Sequence, residues 1–310
     1  MLLDILRFEG QLVWNVPLLV ALLCTAALYV YLVKYWTNVG FFQRQSFPFL
    51  LGLGLLYLTA GSPLSSVSHL TFSSHMIHMS VLYFIVPPLI LAGIPRPLRQ
   101  HLGKTARTVG APFFPKRLQN GTDGQGRCRG VHTSTFALGS FSVLFLCYHI
   151  PFVLTLLIQH PPLHQWYLVS MFALAFPMWN PVAAPDPAAP LGKREKKRYA
   201  ILSGLILMPA CLLLIAGALM GGLNNPYLSQ LTAELCLPPQ QTHPSSLLPF
   251  PWSRELDQLM GGVLMLGMHK FSLMLTYRIG NKNTSCRHRS LITHPLTLLK
   301  RQRRTLKRRR

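Results

Sequence analysis

Long apolar runs recur along this chain and limit the folds open to it more than any other feature. A helix that crosses the hydrocarbon core of a bilayer needs about 20 predominantly apolar residues. Seven runs approach or reach that length, at 13–33, 47–62, 76–94, 134–158, 164–184, 199–222 and 257–279. The run at 47–62 is the shortest of them. We therefore predict an all-α integral membrane bundle of seven transmembrane helices.

The charged residues agree with a membrane protein. Half of the 310 residues are hydrophobic and 12% are charged, whereas water-soluble domains carry about 25% charged residues. The formal net charge of +22 would suit nucleic acid, but the basic residues lie between apolar runs and accompany no nucleic-acid-binding motif. The sequence also contains no nucleophile–base–acid set and no Gly-rich phosphate loop. We predict no nucleic-acid partner and no enzymatic activity.

The distribution of Lys and Arg predicts the orientation of the bundle. Of the 30 Lys and Arg residues, 27 lie in the alternate segments 34–45, 95–133, 185–198 and 278–310. Because cytoplasmic loops carry an excess of these residues, the N-terminus is predicted outside and the C-terminus inside. We divide the chain into a membrane domain, 1–280, and a basic cytoplasmic tail, 281–310. Anionic lipid is the expected partner of the basic loops and the tail.

Histidine and methionine residues mark the outer end of the third predicted helix, in "SSHMIHMS" at residues 73–80. Residues spaced i, i+3 and i+4 share one face of a helix. His75, His78 and Met79 have this spacing and are predicted to point the same way. Met76 is predicted to face elsewhere.

Two further histidines are predicted at the same depth. His149 lies in the outer half of the fourth helix, and His164 opens the fifth. Imidazole suits copper, iron, zinc and nickel, and thioether sulfur selects the softer Cu(I). The hypothesis is an outer-face copper site whose candidate ligands are His75, His78, Met79, His149 and His164. The other interpretation is a set of helix-end histidines that hydrogen-bond water at the level of the headgroups.

Asp257 lies at the outer start of the last predicted helix. Histidine ligands of metals usually donate their second ring N–H to a carboxylate, a backbone carbonyl or water. Asp257 is therefore the candidate acceptor for one ligand histidine. Alternatively, it is an acidic residue favoured by the dipole at the start of its own helix.

Three sequence blocks resemble one known family. In chain order they read "HMIHMSVLYFIVPPLILAGIPRPL", "YHIPFVLTLLIQHPPLHQWYLVSMFALAFPMWNPV" and "LDQLMGGVLM". They are similar to successive blocks of the multi-spanning, bacterial CtaG-type cytochrome c oxidase assembly factors, over about residues 50–280. The resemblance implies a seven-helix protein of the bacterial plasma membrane that matures a caa3-type haem-copper oxidase. Its implied partners are the oxidase subunits and copper chaperones, with copper delivery or insertion as its role.

Three other functions remain open at this point. A haem- or quinone-binding redox protein could use paired histidines, such as His78 with His149, as axial haem ligands. A copper permease could load its transport path from the outer histidines. A retinal protein would match the seven helices and Lys270, but the third helix contains no carboxylate to act as counterion.

Overall fold

The fold was obtained as a computed structural model, which describes residues 14–37, 46–68, 71–95, 98, 126–183, 192–221, 253 and 255–278. These residues are largely helical, and no strand occurs among them, so the all-α prediction is confirmed. Most of the basic loops and the whole tail 281–310 lie outside the described residues, and their predicted roles remain predictions.

The α-helices of the described ranges are numbered in chain order. They are α1 Val16–Thr37, α2 Phe47–Ala60, α3 Leu64–Val67, α4 Phe72–Ser80, α5 Val86–Gly93, α6 Gly126–Tyr148, α7 Pro151–Gln159, α8 Pro161–Ala183, α9 Lys193–Ile206, α10 Met208–Leu219 and α11 Glu255–Arg278. A π-helix, Val81–Ile85, joins α4 to α5. Each predicted apolar run coincides with one of these helices or with consecutive helices.

Length and hydropathy identify fewer membrane spans than seven. Among the described residues the candidate spans are Val16–Tyr35, Phe72–Gly93, Arg194–Leu219 and Glu255–Arg278. The bent pair α6–α7 becomes a fifth if its two helices form one span, and α2 is apolar but shorter. The described part of the chain is therefore helical with four or five candidate spans. The seven-span arrangement and its orientation belong to the proposal below.

The apolar run at 134–158 forms two helices instead of one. α6 ends at Tyr148 and α7 begins at Pro151, with a bend of 84° between them. Proline has no N–H for the carbonyl four residues earlier, and its ring disfavours the helical region for the preceding residue. Ile150 accordingly has φ −80° and ψ 123°. The break places Tyr148 and His149 at a corner of the bundle.

Glycines allow the helices to approach closely. A Cβ on Gly93 of α5 would overlap the backbone of Phe49 in α2. A Cβ on Gly262 of α11 would lie 3.2 Å from the carbonyl oxygen of Cys211 in α10. Small residues at such contacts let helix backbones come together in membrane proteins. Gly93 and Gly262 thus lie where two helix backbones approach each other closely.

One end of the bundle brings together residues that are far apart in the sequence. The main apolar core contains Tyr83, Phe84, Phe141, Phe145, Tyr148 and Trp179, all nearly inaccessible to solvent. At one end of this core, the starts of α4, α8 and α11 meet the end of α6. We call this the cluster end. The charge pattern predicts that all four of these helix ends lie on the same side of the membrane.

Candidate functional site

Tyr148, the last residue of α6, joins two of the predicted site histidines. Its hydroxyl oxygen lies 3.2 Å from Nε2 of His75 and 3.2 Å from Nε2 of His164. A hydroxyl carries one hydrogen, so it donates to one imidazole and accepts from the other. In the neutral rings, one Nε2 therefore carries a hydrogen and the other a lone pair. Two histidines from α4 and α8 thus converge on a single oxygen atom.

His149 lies beside this group, and its two ring nitrogens face different partners. Nδ1 lies 2.6 Å from the carbonyl oxygen of Phe145, and Nε2 lies 3.4 Å from Sδ of Met76. A carbonyl oxygen can only accept a hydrogen bond, so Nδ1–H donates to it. In the neutral ring Nε2 then carries a lone pair. The backbone N–H of His149 donates to Leu146, which leaves the Phe145 carbonyl for the ring.

Met76 is a residue that the helix-face argument missed. The spacing of His75 and His78 predicts that Met76 faces away from the site, and this is wrong. His75 and Met76 of α4 are both buried. Tyr148 contacts His75 and His149 contacts Met76, so two adjacent residues at the α6 corner meet two adjacent residues of α4. Gly261 of α11 leaves room for the methionine, because a Cβ there would lie 3.1 Å from Cγ of Met76. That glycine is the sequence signal for a side chain packed between α4 and α11.

Asp257 caps the start of α4 from α11. Its Oδ2 accepts from the backbone N–H of Phe72 at 2.6 Å, and its Oδ1 accepts from N–H and Oγ–H of Ser73 at 3.1 and 2.5 Å. Thr71 adds a second cap, because its Oγ1 accepts from Ser74 N–H at 3.1 Å. A carboxylate at a helix N-terminus also interacts favourably with the helix dipole. The predicted role of Asp257 as an acceptor for a ligand histidine remains a prediction.

The other two predicted ligands lie further along α4. His78 is half-buried, and Met79 is 1% exposed within the apolar core. Among the residues that the structure describes, no group of three or more His, Cys, Asp or Glu side chains is arranged to hold a metal ion. The side chains that do come together at the cluster end are those of His75, Met76, Tyr148, His149 and His164. We call these five the histidine cluster.

Comparison with known protein families bears directly on this arrangement. The model of the family described as cytochrome c oxidase caa3 assembly factor (Caa3_CtaG) matches residues 27–278. This stretch covers most of the chain and includes the whole histidine cluster. The chain belongs to this family. No curated protein and no solved structure matches the chain.

Membership of the Caa3_CtaG family confirms the resemblance carried by the three sequence blocks. The family, together with several long apolar helices, identifies the chain as a membrane protein that serves as an assembly factor for caa3 cytochrome c oxidase. Cytochrome c oxidase is accordingly its partner. Every contact of the histidine cluster lies within the part of the chain that this family shares.

Proposed function

We propose that this Caa3_CtaG protein assists copper delivery to, or copper insertion into, a caa3-type oxidase in a bacterial plasma membrane, through its histidine cluster. The observation that carries the proposal is the grouping of three imidazoles with a thioether sulfur at one end of the bundle. These donor types together suit copper, and the sulfur favours Cu(I). His78 and Met79 remain candidate ligands one turn further along α4. Copper chaperones are the proposed source of the ion.

The chemistry of the donor set supports a metal-binding role for the cluster. Nε2 of His75 and Nε2 of His164 both point to the Tyr148 hydroxyl. A bound metal ion requires ligand nitrogens that are directed at one position. Here the two nitrogens are directed at the position of the Tyr148 hydroxyl. The corner at Pro151 supports the same role because it carries Tyr148 and His149 over the start of α4.

The proposed orientation has seven spans, with the N-terminus and the cluster end outside the cell. It adds α2 and α8 to the candidate spans, and it places the basic loops and tail against anionic lipid on the cytoplasmic side. Reporter fusions near residues 70, 161 and 240 should report an external location. Fusions near 110, 192 and 300 should report a cytoplasmic location. A cytoplasmic signal at residue 240 would contradict the side assigned to the cluster.

Deletion of the protein tests the copper role. Because copper insertion follows synthesis of the subunits, we expect a deletion strain to keep oxidase subunits in the membrane but to lose oxidase activity. Oxidase purified from this strain should be depleted in copper relative to haem. The wild-type protein should restore the copper content. Normal oxidase activity and copper content in the deletion strain would contradict the proposal.

The same strain distinguishes the copper role from a general assembly role. A factor that only stabilises the oxidase subunits would lower copper and haem together when it is removed. An isolated loss of copper is the result expected here. The purified assembly factor also tests the haem-binding alternative, because a Soret absorption band would favour haem over copper.

A further inference from the structure

We propose that Sδ of Met76 and Nε2 of His149 are paired ligands of a cuprous ion. This inference deepens the proposed function, on which it rests, by naming the oxidation state of the copper and two ligand atoms. The two atoms lie 3.4 Å apart. They come from α4 and from the corner that follows α6.

No hydrogen bond joins Sδ of Met76 and Nε2 of His149. A thioether sulfur has no hydrogen to donate. Nε2 of the neutral His149 ring has none either, because Nδ1 carries the hydrogen and donates it to the Phe145 carbonyl. Two lone-pair atoms therefore face each other at close range. A small soft cation between them would convert this contact into two favourable bonds.

The spacing of the two atoms suits a shared metal ion. Zinc provides a guide, with bonds of about 2.0 Å to imidazole nitrogen and about 2.3 Å to sulfur. Such bonds place two ligands of a tetrahedral or trigonal ion roughly 3.5–3.7 Å apart. The observed separation of 3.4 Å is close to this range. The ion would enter with little movement of either side chain.

The surroundings of the pair hold both ligands in place. The Phe145 carbonyl accepts from Nδ1–H at 2.6 Å, and a backbone carbonyl is one of the usual partners that orient a metal-ligating imidazole. Gly261 provides the space in which Met76 packs. Met76 is 3% exposed and His149 is 5% exposed, so the pair is largely shielded from water. Thioether sulfur in such a dry site selects Cu(I) over harder ions.

Titration of the purified full-length protein with Cu(I) tests the inference. The protein, in detergent and without oxygen, would compete with a colorimetric Cu(I) chelator. Met76→Leu conserves side-chain volume. It should lower Cu(I) affinity by more than the roughly 10–100-fold loss that follows when a hydrogen-bond partner of a metal ligand is removed. Met171→Leu is the matched control, since Met171 of α8 is likewise fully buried in the apolar core. It should bind Cu(I) as the wild type does.

X-ray absorption of the Cu(I)-loaded protein gives a second readout. A sulfur scatterer should be present in the wild type and in Met171→Leu, and absent from Met76→Leu. If Met76→Leu retains both its affinity and the sulfur scatterer, the inference is wrong. Met79→Leu tests the other candidate thioether of α4. If that variant loses the sulfur scatterer instead, the inference is also wrong, although the proposed function stands. If Met76→Leu loses Cu(I) while the deletion strain has normal oxidase, the ligand pair stands and the proposed function fails.

Discussion

Asp257→Asn should weaken the hydrogen bonds that join α11 to the start of α4. The carboxylate accepts from Phe72 N–H through one oxygen, and from Ser73 N–H and Oγ–H through the other. Asparagine keeps one acceptor oxygen and replaces the other with an NH₂ group, which is a donor. Whichever way the amide turns, it presents a donor to an N–H or to the serine hydroxyl. At least one polar group at the start of α4 then loses its acceptor.

The size of this effect can be worked from the contacts. A hydrogen bond to a charged group contributes about 1.5–3 kcal/mol, and a charge at a partly buried helix terminus contributes up to about 2 kcal/mol. Interactions in one network are not additive, so we expect Asp257→Asn to cost roughly 2–4 kcal/mol in total. Asp257 is only 7% exposed, so water screens little of this loss. For a domain of this size the expected fall in Tm is roughly 4–16 °C.

Thermal unfolding in detergent, followed by Trp fluorescence, measures the effect. Ser73→Ala removes only the hydroxyl bond and should lower Tm less than Asp257→Asn. Glu255→Gln is the control, because Glu255 is an exposed acid in the first turn of the same helix, and it should melt with the wild type. Because α4 carries His75 and Met76 within its first two turns, Asp257→Asn should also weaken copper binding without abolishing it. Equal Tm values for Asp257→Asn and Glu255→Gln would refute the reasoning.

Two further substitutions test the packing of the bundle and of the cluster. Gly93→Ala should lower stability by about 1–3 kcal/mol or more, because its Cβ overlaps the backbone of Phe49. Gly139→Ala is its control, because a Cβ on Gly139 would have no atom within 4 Å. Equal Tm values for the two alanine variants would contradict the close approach of Gly93 to Phe49. Tyr148→Phe removes the hydroxyl that two imidazoles share and should cost about 1–3 kcal/mol. The exposed Tyr31→Phe is its control, and the prediction fails if both phenylalanine variants melt together.

The sequence predicted the helices well because a backbone in lipid can satisfy its hydrogen-bonding groups in only a few structures. A spanning segment in a bilayer must satisfy its own N–H and C=O groups, so a long apolar run forms a helix. The breaks were harder to predict. Pro177 lies inside the continuous helix α8, whereas Pro151 follows the corner that ends α6. Neighbouring helices and side chains can satisfy the backbone groups that a proline frees, and the local sequence does not contain those neighbours.

The site was partly predictable for a related reason. From the sequence alone, the positions of His75, His149 and His164 along their predicted helices placed all three at one end of the bundle. The partners of these residues depend on how each helix is rotated and on the corner after α6. Tyr148 and Met76 were therefore missed, although each is adjacent in sequence to a predicted histidine. The same dependence explains why Asp257 caps α4, a helix almost two hundred residues away in the sequence.

The central claim is that the histidine cluster holds copper, and the copper content of the purified protein tests it most directly. Protein from copper-supplemented cells should carry copper at a constant ratio to chain. The double variant His75→Ala/His149→Ala should lose this copper and fail to support oxidase assembly. His160→Ala replaces an exposed histidine at the turn between α7 and α8 and should retain both. A double variant that keeps its full copper content and still supports oxidase assembly would contradict the claim.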